Sequence, residues 1–312
     1  MDGDRGTGAA RSDPLTTIAA DLAGRPGDWP VLLAGPTASG KSDLALRLAD
    51  RCGGVIVNAD AIQVWSCWRV LSARPSPADE AAARHDLYGY VAPGEDYSVG
   101  RWLRDLGTRI AGLRQAGLRP IIVGGTGLYV STLTGGLAEI PPTPPHIRTE
   151  AAERLSSGGL GALLADLDPE TAARIDRRNP ARVARAWEVL QTTGRGLAIW
   201  QDETGPPLLP LAAASAFVLD ADRDWLARRI DRRFDLMLRE GAIEEVREIL
   251  PVWSPAATWA QAIGAREIVE YLGGRIDAPT LSERGKAASR QYAKRQRTWF
   301  RARMGKWRHL LA

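Results

Sequence analysis

The amino-acid sequence predicts an α/β fold in which a doubly wound parallel sheet is flanked by helices. Three short apolar runs, at 31–34, 55–57 and 120–123, are separated by stretches with helical spacing. Uninterrupted runs rich in valine and isoleucine are typical of strands buried on both faces. Each run ends in a polar or glycine-rich segment, at 35–42, 58–60 and 124–127. Ligands of such sheets bind beyond the carboxyl ends of the strands, so we expect these three segments to converge on one crevice.

The first segment is a complete phosphate-binding loop (P-loop), placed between a predicted strand and a predicted helix. It reads Gly35-Pro36-Thr37-Ala38-Ser39-Gly40-Lys41-Ser42. Its glycines let backbone N–H groups point inward, and the lysine brings a positive charge to the phosphates. The Ser42 hydroxyl can ligate a phosphate-bound Mg²⁺. These eight residues therefore predict a di- or triphosphate ligand, with Mg²⁺ as cofactor.

The second segment ends in a carboxylate, Asp60, at the edge of the sheet where the phosphates would lie. This residue type at this place is compatible with a general base, a Mg²⁺ ligand held through water, or a helix N-cap. Three residues later, Gln63 offers both a donor and an acceptor to the edge of a base.

The third segment, Gly124-Gly125-Thr126-Gly127, carries no acidic residue after its strand. A Walker-type ATPase needs an aspartate at such a strand end to hold Mg²⁺, so ordinary ATP hydrolysis is disfavoured. The Thr126 hydroxyl could donate a hydrogen bond to a phosphate or to a developing charge. The alternative is a tight turn whose glycines are purely conformational.

The composition changes at a proline-rich segment, 140–145, which can continue neither a strand nor a helix. We expect a helical insertion domain over 140–200 and a catalytic core formed by 29–139 and 201–312, with a returning strand within 208–219. The first 28 residues are rich in Gly, Asp, Arg and Thr and are predicted to be a flexible leader. They lack the apolar region of a secretory signal, and no apolar run approaches the length of a membrane span. We therefore expect a cytoplasmic protein without membrane contacts.

Basic residues are concentrated at the end of the chain. The net charge is only +4, yet no acidic residue follows Glu283. Arg290, Lys294, Arg297 and Arg301 form one stripe of a predicted helix, with aromatic residues on its other faces. Such a stripe can follow a phosphate backbone, or it can be a solvated face over a core helix. Arg182 and Arg185, one turn apart after Asn179-Pro180, could also contact RNA phosphates.

Neither the cysteines nor the histidines form a metal or disulfide pattern. Cys52 and Cys67 lie far apart without a C-x-x-C pair, and the histidines are scattered. This spacing argues against a structural zinc site and against a disulfide framework.

Several segments together resemble the tRNA dimethylallyltransferases, also called tRNA isopentenyltransferases, over about residues 30–310. The matching segments are GPTASGKS at 35–42, NADAIQVW at 58–65, EDYSV at 95–99, PIIVGGTGLYV at 120–130, NPARVARAWEVLQTTG at 179–194, RIDRRFDLMLREGAIEEV at 229–246, AIGAREIVEYLGG at 262–274 and RQYAKRQRTWFR at 290–301.

The resemblance implies transfer of a dimethylallyl group from dimethylallyl diphosphate to N6 of the adenosine 3′ of the anticodon, position 37 of certain tRNAs. By this resemblance Asp60 is the general base, Thr126 steadies the amine or the leaving diphosphate, and Arg223 helps to bind the diphosphate. The target base must leave its stack to reach such a site.

The resemblance also implies a tRNA interface that grips the anticodon stem-loop, on a protein expected to be a monomer. Its predicted residues are Asp60, Ala61, Ile62, Gln63, Ala181, Arg182, Arg185, Arg290, Lys294 and Arg297.

The chain departs from the family pattern at a few places. Ala61 stands where Ser is usual, Trp65 where Tyr is usual, and Ala265 where Tyr is common; 71–75 reads Leu-Ser-Ala-Arg-Pro where Gly-Thr-Ala-Lys-Pro is usual. The loss of these hydroxyl groups would affect individual contacts to tRNA or substrate. The P-loop, Asp60 and Thr126, on which the reaction depends, match the family pattern.

Three other functions are compatible with parts of the sequence. A P-loop kinase of small molecules or nucleosides would share the phosphate loop, but it leaves the basic tail and the insertion without a role. A transferase that acts on free adenine nucleotides would need neither of them. A nucleotide-dependent RNA-binding module would not need Asp60.

Overall fold

A computed structural model describes residues 13–312, and all strands in this range belong to one parallel sheet. The strands are β1 (Val31–Ala34), β2 (Val55–Asn58), β3 (His85–Asp86), β4 (Pro120–Gly124), β5 (Ser215–Asp220) and β6 (Arg308–Leu311). Their order across the sheet is β3-β2-β4-β1-β5-β6. The three strands predicted from the apolar runs are therefore confirmed, and they lie side by side.

Helices connect the strands in the described range. They are α1 (Pro14–Leu22), α2 (Lys41–Cys52), α3 (Pro77–Ala82), α4 (Val99–Gln115), α5 (Gly127–Gly135), α6 (Pro145–Leu164), α7 (Pro169–Arg174), α8 (Pro180–Thr193), α9 (Leu197–Asp202), α10 (Arg223–Arg239), α11 (Ala242–Ile249), α12 (Ala265–Leu272) and α13 (Ala278–Arg303). None of these helices is both long and apolar enough to cross a membrane.

The two faces of the sheet are covered by different helices, which confirms the doubly wound arrangement. Leu32 and Ile122 face one side and pack with apolar residues of α4 and α5, together with Phe300 of α13. Leu33 and Val123, each one residue further along, face the other side and pack with α1 and α2. Alternation along buried strands places successive side chains on opposite faces, so both layers are needed to exclude water.

The strand expected within 208–219 is shorter than predicted. It begins at Ser215, and residues 211–213 form a single turn of 3-10 helix after Pro210. Prolines lack the N–H that a central strand donates to its neighbours. Pairing with β1 therefore starts only beyond the proline-containing segment, at the partners Ser215 and Val31.

The prediction of a flexible leader over 1–28 is wrong for its described part. Asp13 caps α1 by accepting a hydrogen bond from the backbone N–H of Thr16. Leu15, Ile18 and Leu22 of this helix are buried in the core that covers α2 and the sheet. Their spacing of three and four residues is that of a helix face, which the polar composition around them obscured. Residues 1–12 lie outside the described range.

Residues 135–208 form a compact unit of their own, and the remainder of the described chain forms the other unit. Helices α6 and α8 pack around Trp187, Val183 and neighbouring apolar residues. The predicted boundaries at 140 and 200 fall inside this unit. The first and last segments of this unit lie close together: a Cβ on Gly136 would lie only 2.6 Å from the carbonyl oxygen of Gly205. Because the unit begins at residue 135, the proline-rich segment at 140–145 lies inside it, and the boundary is at the end of α5.

We predict that Ile18→Ala lowers the free energy of unfolding by roughly 2–5 kcal/mol, because it removes a fully buried side chain and leaves a cavity. Urea unfolding followed by circular dichroism measures this difference. Ala20→Ser, at an exposed position of the same helix, should change the free energy by less than about 0.5 kcal/mol. Equal stability of the two variants would mean that α1 is not part of the core.

Candidate functional site

The P-loop connects β1 to α2 and is built as a cradle for an anion. Gly40 ends the loop in a left-handed conformation, with φ 90°, directly before the first turn of α2. Gly35 has no room for a side chain, because a Cβ there would lie 2.9 Å from Ser39 Oγ and 3.0 Å from the carbonyl oxygen of Leu219. Ser39 Oγ is buried and has no hydrogen-bond partner among the described residues. The N–H groups at the start of α2 attract negative charge.

Lys41 lies in a cavity of about 390 Å³ that the loop and α10 line together. The cavity residues are Ala38, Gly40, Lys41, Ser42, Asp43, Ala73, Arg229, Arg232, Arg233 and Leu236. The Lys41 ammonium donates a hydrogen bond to the carbonyl oxygen of Pro36, at 3.2 Å. Burial lowers the pKa of Lys41 to about 8; the charge of Asp60 opposes this shift, and that of Arg233 adds to it. The cavity therefore concentrates positive charge beyond what the nearby carboxylate offsets.

The arginines of α10 are site residues that the sequence reasoning missed. Arg229 donates from Nε to the carbonyl oxygen of Ala38, at 3.0 Å, and stacks over Trp225. Burial lowers the pKa of Arg233, while the charge of Asp60 acts in the opposite direction. The sequence did carry a signal for these arginines. Arg229 and Arg233 are four residues apart, a spacing that places them on one face of a helix, and both lie in the segment 229–246 that resembles the family.

Arg223, predicted to bind the diphosphate, is exposed at the start of α10 and lines a different cavity. This second cavity, of about 680 Å³, we call the basic groove. It is lined by Arg223, Asp224, Leu226, Ala227, Ile230, Ala287, Arg290, Gln291, Ala293, Lys294, Arg297, Thr298 and Arg301. The P-loop cavity is lined instead by Arg229, Arg232 and Arg233, which lie about one and a half to three turns further along α10.

Asp60 is held by Asn58, which is fully buried at the end of β2. The Asn58 amide donates to the carbonyl oxygens of Asp60 and Leu87, and its side-chain oxygen accepts from the Asp60 N–H at 2.9 Å. The Asp60 carboxylate accepts from the N–H of Ile62 at 2.9 Å. No helix begins here, since the chain continues in turns, so the N-cap interpretation is wrong. The carboxylate is half-buried and has a fixed orientation.

Thr126 connects the third segment to the second. Its hydroxyl oxygen accepts a hydrogen bond from the N–H of Ala61, at 2.9 Å, and it is also hydrogen bonded with the side chain of Tyr292. A Cβ on Gly125 would lie 3.5 Å from the Asp60 carboxylate. The convergence of the three segments at one edge of the sheet is therefore confirmed. Asp60 and Thr126 lie next to each other, and the charge of Asp60 reaches both Lys41 and Arg233.

The amide of Gln63 is committed to the protein itself. Its Nε2 donates to the carbonyl oxygens of Ser72 and Ala73, at 3.0 and 2.9 Å. The turn that carries these carbonyls is fixed by Glu245 of α11, whose carboxylate accepts from the N–H groups of residues 69, 70 and 71. A free Gln63 donor for a base edge is therefore not present in this conformation. Its carbonyl oxygen is the group that remains.

Two departures from the family pattern lie in the protein core. Trp65 is 1% exposed, and Ala265 of α12 is fully buried in the same cluster. These side chains stabilise the packing of α11 and α12 beside the site, and neither presents a surface to a ligand. Ala61, by contrast, is half-buried, directly beside Asp60.

Within the unit of residues 135–208, the predicted RNA contacts lie at the start of α8. Asn179 caps this helix by accepting from the N–H groups of Ala181 and Arg182, both of which are exposed. Arg185 is half-buried and donates to the hydroxyl of Thr143 at 2.7 Å. Arg182 is thus available to a ligand, while Arg185 is partly engaged.

The basic residues of α13 lie on the opposite side of that helix from the site. Arg290, Lys294 and Arg297 line the basic groove, and Arg290 is paired with Asp231. Tyr292 and Gln296 contact the loops of the site, and they lie on the opposite face of the helix from this stripe. The basic stripe predicted from the sequence therefore lies along one face of α13, and Phe300 of the same helix is buried.

No cluster of three or more acidic, histidine or cysteine side chains that could hold a metal ion occurs within residues 13–312. Ser42 is exposed at the edge of the P-loop cavity, and Asp43 beside it is also exposed. Mg²⁺ is often bound through few protein groups, with phosphate oxygens and water as the other ligands. The donor set is therefore compatible with Mg²⁺ that arrives on a diphosphate.

Two family models match this chain. The IPP transferase model covers residues 63–303, and the isopentenyl transferase model covers residues 30–87. A tRNA dimethylallyltransferase of Cereibacter sphaeroides (strain ATCC 17029 / ATH 2.4.9) is 60% identical over 299 residues, which are 96% of this chain and 93% of the relative. A tRNA dimethylallyltransferase of Paracoccus denitrificans is 59% identical over 89% of this chain and 93% of that protein.

Solved structures agree with these sequence matches. The tRNA isopentenylpyrophosphate transferase of Bacillus halodurans matches with a TM-score of 0.64 and 30% identity, over 91% of this chain and 90% of that one. A eukaryotic dimethylallyltransferase acting on tRNA matches with a TM-score of 0.76 and 25% identity, over 90% of this chain and 73% of that one. From these identities and their coverage, the chain belongs to the tRNA dimethylallyltransferase family of IPP transferases.

Proposed function

We propose that this protein transfers a dimethylallyl group from dimethylallyl diphosphate to N6 of adenosine 37 of tRNAs, next to the anticodon, and releases diphosphate. The observation that carries the proposal is the position of Asp60. Its oriented carboxylate lies beside Thr126 and within electrostatic reach of Lys41 and Arg233 in the phosphate cavity. A proton acceptor next to a cradle for a leaving diphosphate is what an alkyl transfer to an amine requires.

The cavity stabilises the leaving group. In the transfer, the C1–O bond of the donor breaks and negative charge builds on the departing diphosphate. Lys41, Arg229 and Arg233 hold positive charge at the cavity before any ligand binds, so little reorganisation is needed when that charge develops. The segment after β4 has threonine where a Walker-type hydrolase needs an acidic residue. This supports a diphosphate that leaves intact over a phosphoryl group that is transferred.

Asp60 serves as the general base. As the N6–C1 bond forms, the amine nitrogen must lose one proton, and the carboxylate accepts it. The hydrogen bond from the N–H of Ile62 orients this carboxylate before the base arrives, and Asn58 fixes the backbone of Asp60 by accepting from its N–H. Thr126, bonded to the N–H of Ala61, holds the neighbouring backbone in place and steadies the amine or the diphosphate. The adenosine reaches this site by leaving its stack in the anticodon loop.

Ser42 and the phosphates of the donor would hold Mg²⁺, the proposed cofactor. When bound, the cation supplies further positive charge to the diphosphate. The exposed hydroxyl at the cavity edge is the group of this chain that would contact it.

The anticodon stem-loop is the proposed RNA ligand. The residues proposed to contact it are Asp60, Ala61, Ile62, Gln63, Ala181, Arg182, Arg185, Arg290, Lys294 and Arg297. Of these, Arg182, Lys294 and Arg297 have no ion-pair partner in the described part of the chain and can pair with phosphates. We further propose that the protein acts as a monomer in the cytoplasm, where its free cysteines, Cys52 and Cys67, stay reduced.

The test of the proposed function is a set of parallel incubations of the purified protein with Mg²⁺, ATP and radiolabelled dimethylallyl diphosphate, each with tRNA or with free AMP. Unmodified tRNA with adenosine at position 37 should be labelled, and the same tRNA with guanosine there should not. Label in free AMP would instead indicate a nucleotide prenyltransferase. Consumption of ATP without label in either RNA would favour a kinase.

Asp60→Asn should lower kcat by on the order of 100-fold to 10,000-fold, because the amide cannot accept the proton. The amide oxygen can still accept from the N–H of Ile62, so the loop should keep its conformation. Single-turnover kinetics measures the loss, and a filter-binding assay should give a much smaller change in tRNA affinity, because Asp60 is one of ten proposed contacts to the RNA. Full activity of this variant would reject the general-base role.

Arg233→Gln should raise the KM for dimethylallyl diphosphate by about 10-fold to 100-fold, because it removes a charge that is close to Lys41 in the phosphate cavity. Arg228→Gln is the matched control: the residue is exposed on the same helix and lines neither cavity. Steady-state kinetics at saturating tRNA compares the two. A similar KM for both variants would contradict the assignment of Arg233.

The affinity for inorganic diphosphate should fall as the pH rises through about 8. The pKa of Lys41 is lowered to about 8 in the free protein, so its ammonium is charged below this pH and loses its proton above it. Above pH 8 the loss approaches about tenfold per pH unit. Calorimetric titration between pH 6.5 and 9.5 measures it, with Lys41→Met as a control that should lack this dependence. A flat profile in the unmodified protein would show that Lys41 keeps its charge throughout.

A further inference from the structure

A single amide side chain joins two loops of the site. Gln296 lies on α13 and is 6% exposed. Its oxygen accepts a hydrogen bond from the N–H of Thr37 in the P-loop, at 2.8 Å, and its Nε2 donates to the carbonyl oxygen of Gly125, also at 2.8 Å. The two loops follow the neighbouring strands β1 and β4, whose last residues are paired in register. Gln296 thus bridges the ends of both strands.

The peptide that Gln296 holds in the P-loop also holds Lys41. The carbonyl oxygen of Pro36 and the N–H of Thr37 belong to the same planar peptide unit. On one side this unit accepts from the Lys41 ammonium at 3.2 Å, and on the other it donates to Gln296. The orientation of this peptide therefore sets the resting position of the cation that meets the diphosphate.

The second partner of Gln296 leads to the acceptor side of the reaction. Gly125 precedes Thr126, whose hydroxyl is bonded to the N–H that follows Asp60. The contact is tight, because a Cβ on Gly125 would overlap Nε2 of Gln296. One side chain is therefore linked to the phosphate cradle on one side and to the proposed base on the other.

We infer that Gln296 is a positioning residue for the transfer: it sets the distance between the diphosphate cradle around Lys41 and the Asp60–Thr126 pair. The inference rests on the proposed function. Only a group that accepts at one end and donates at the other can bridge an N–H and a carbonyl oxygen. An amide does this at any pH, whereas an ionised carboxylate can only accept. A misplacement of about 1 Å between reacting groups can lower a rate on the order of 100-fold.

Gln296→Glu tests this directly. Near pH 8 the carboxylate keeps the contact with the N–H of Thr37 but repels the carbonyl oxygen of Gly125, so kcat should fall on the order of 100-fold. Burial favours the neutral form of a carboxyl group, so as the pH falls this group takes up a proton and can donate to Gly125 again. The ratio of the variant's kcat to that of the unmodified protein should therefore rise as the pH falls.

Two other variants separate positioning from charge and from folding. Gln296→Met keeps the volume but makes neither bond, so its kcat should be low, with a ratio that does not change with pH. Gln115→Glu makes the same change of charge at an exposed end of α4 and should match the unmodified protein throughout. If Gln296→Glu does not fold, Gly125→Ala, which displaces the amide from the other side, should show the same loss of kcat. Thermal unfolding checks the fold of each.

A kcat ratio for Gln296→Glu that stays constant between pH 6 and 8, or unchanged activity of Gln296→Met and Gly125→Ala, would overturn the inference. The unmodified protein in the same assay separates this result from failure of the proposed function. If it does not label tRNA, the function is wrong; if it does and the variants behave like it, only the role of Gln296 is wrong.

Discussion

Parallel pairing of β2, β4 and β1 is the constraint on which the site depends. Because all three strands run in one direction, their carboxyl ends meet at one edge, and each delivers one functional segment there. The strands are buried on both faces, and a shift of their register would move the strand ends relative to one another and separate Asp60 from the P-loop. Stability and site geometry are therefore set by the same packing.

The charges that line the P-loop cavity favour a polyanionic ligand. Lys41, Arg229, Arg232 and Arg233 line one cavity, with Asp60 as the carboxylate that reaches Lys41 and Arg233. Keeping such charges close together and partly out of water is costly, and the lowered pKa of Lys41 reflects this cost. A bound diphosphate offsets the repulsion. The same excess of positive charge keeps the leaving group stable once the C1–O bond breaks, so binding and transfer use one arrangement.

Most of the polar side chains around the site form hydrogen bonds with other groups of the protein, which the sequence does not reveal. Gln63, which could have read a base, holds the turn at residues 72 and 73, and Glu245 fixes that turn from α11. Asn58 fixes the backbone of Asp60. Buried polar groups must find partners, so most of them are used for support, and few remain free for a ligand. The position of Asp60 is fixed by such support.

The sequence by itself determined the central strands, the P-loop, the helical nature of residues 140–200 and the family, because apolar periodicity, glycine spacing and motif order are local signals. Only the tertiary structure decided which distant residues join the site. Gln296 and Arg233 each lie more than 190 residues beyond the P-loop in the chain, and a helix pattern alone does not say which face of the helix meets that loop. The leader helix was missed because its three apolar residues are stabilised by packing on the sheet, not by their own short segment. Arg223 was assigned by the resemblance to the family and the basic stripe of α13 by residue type and spacing, but their location in the basic groove follows from how α10 and α13 pack, which no local signal encodes.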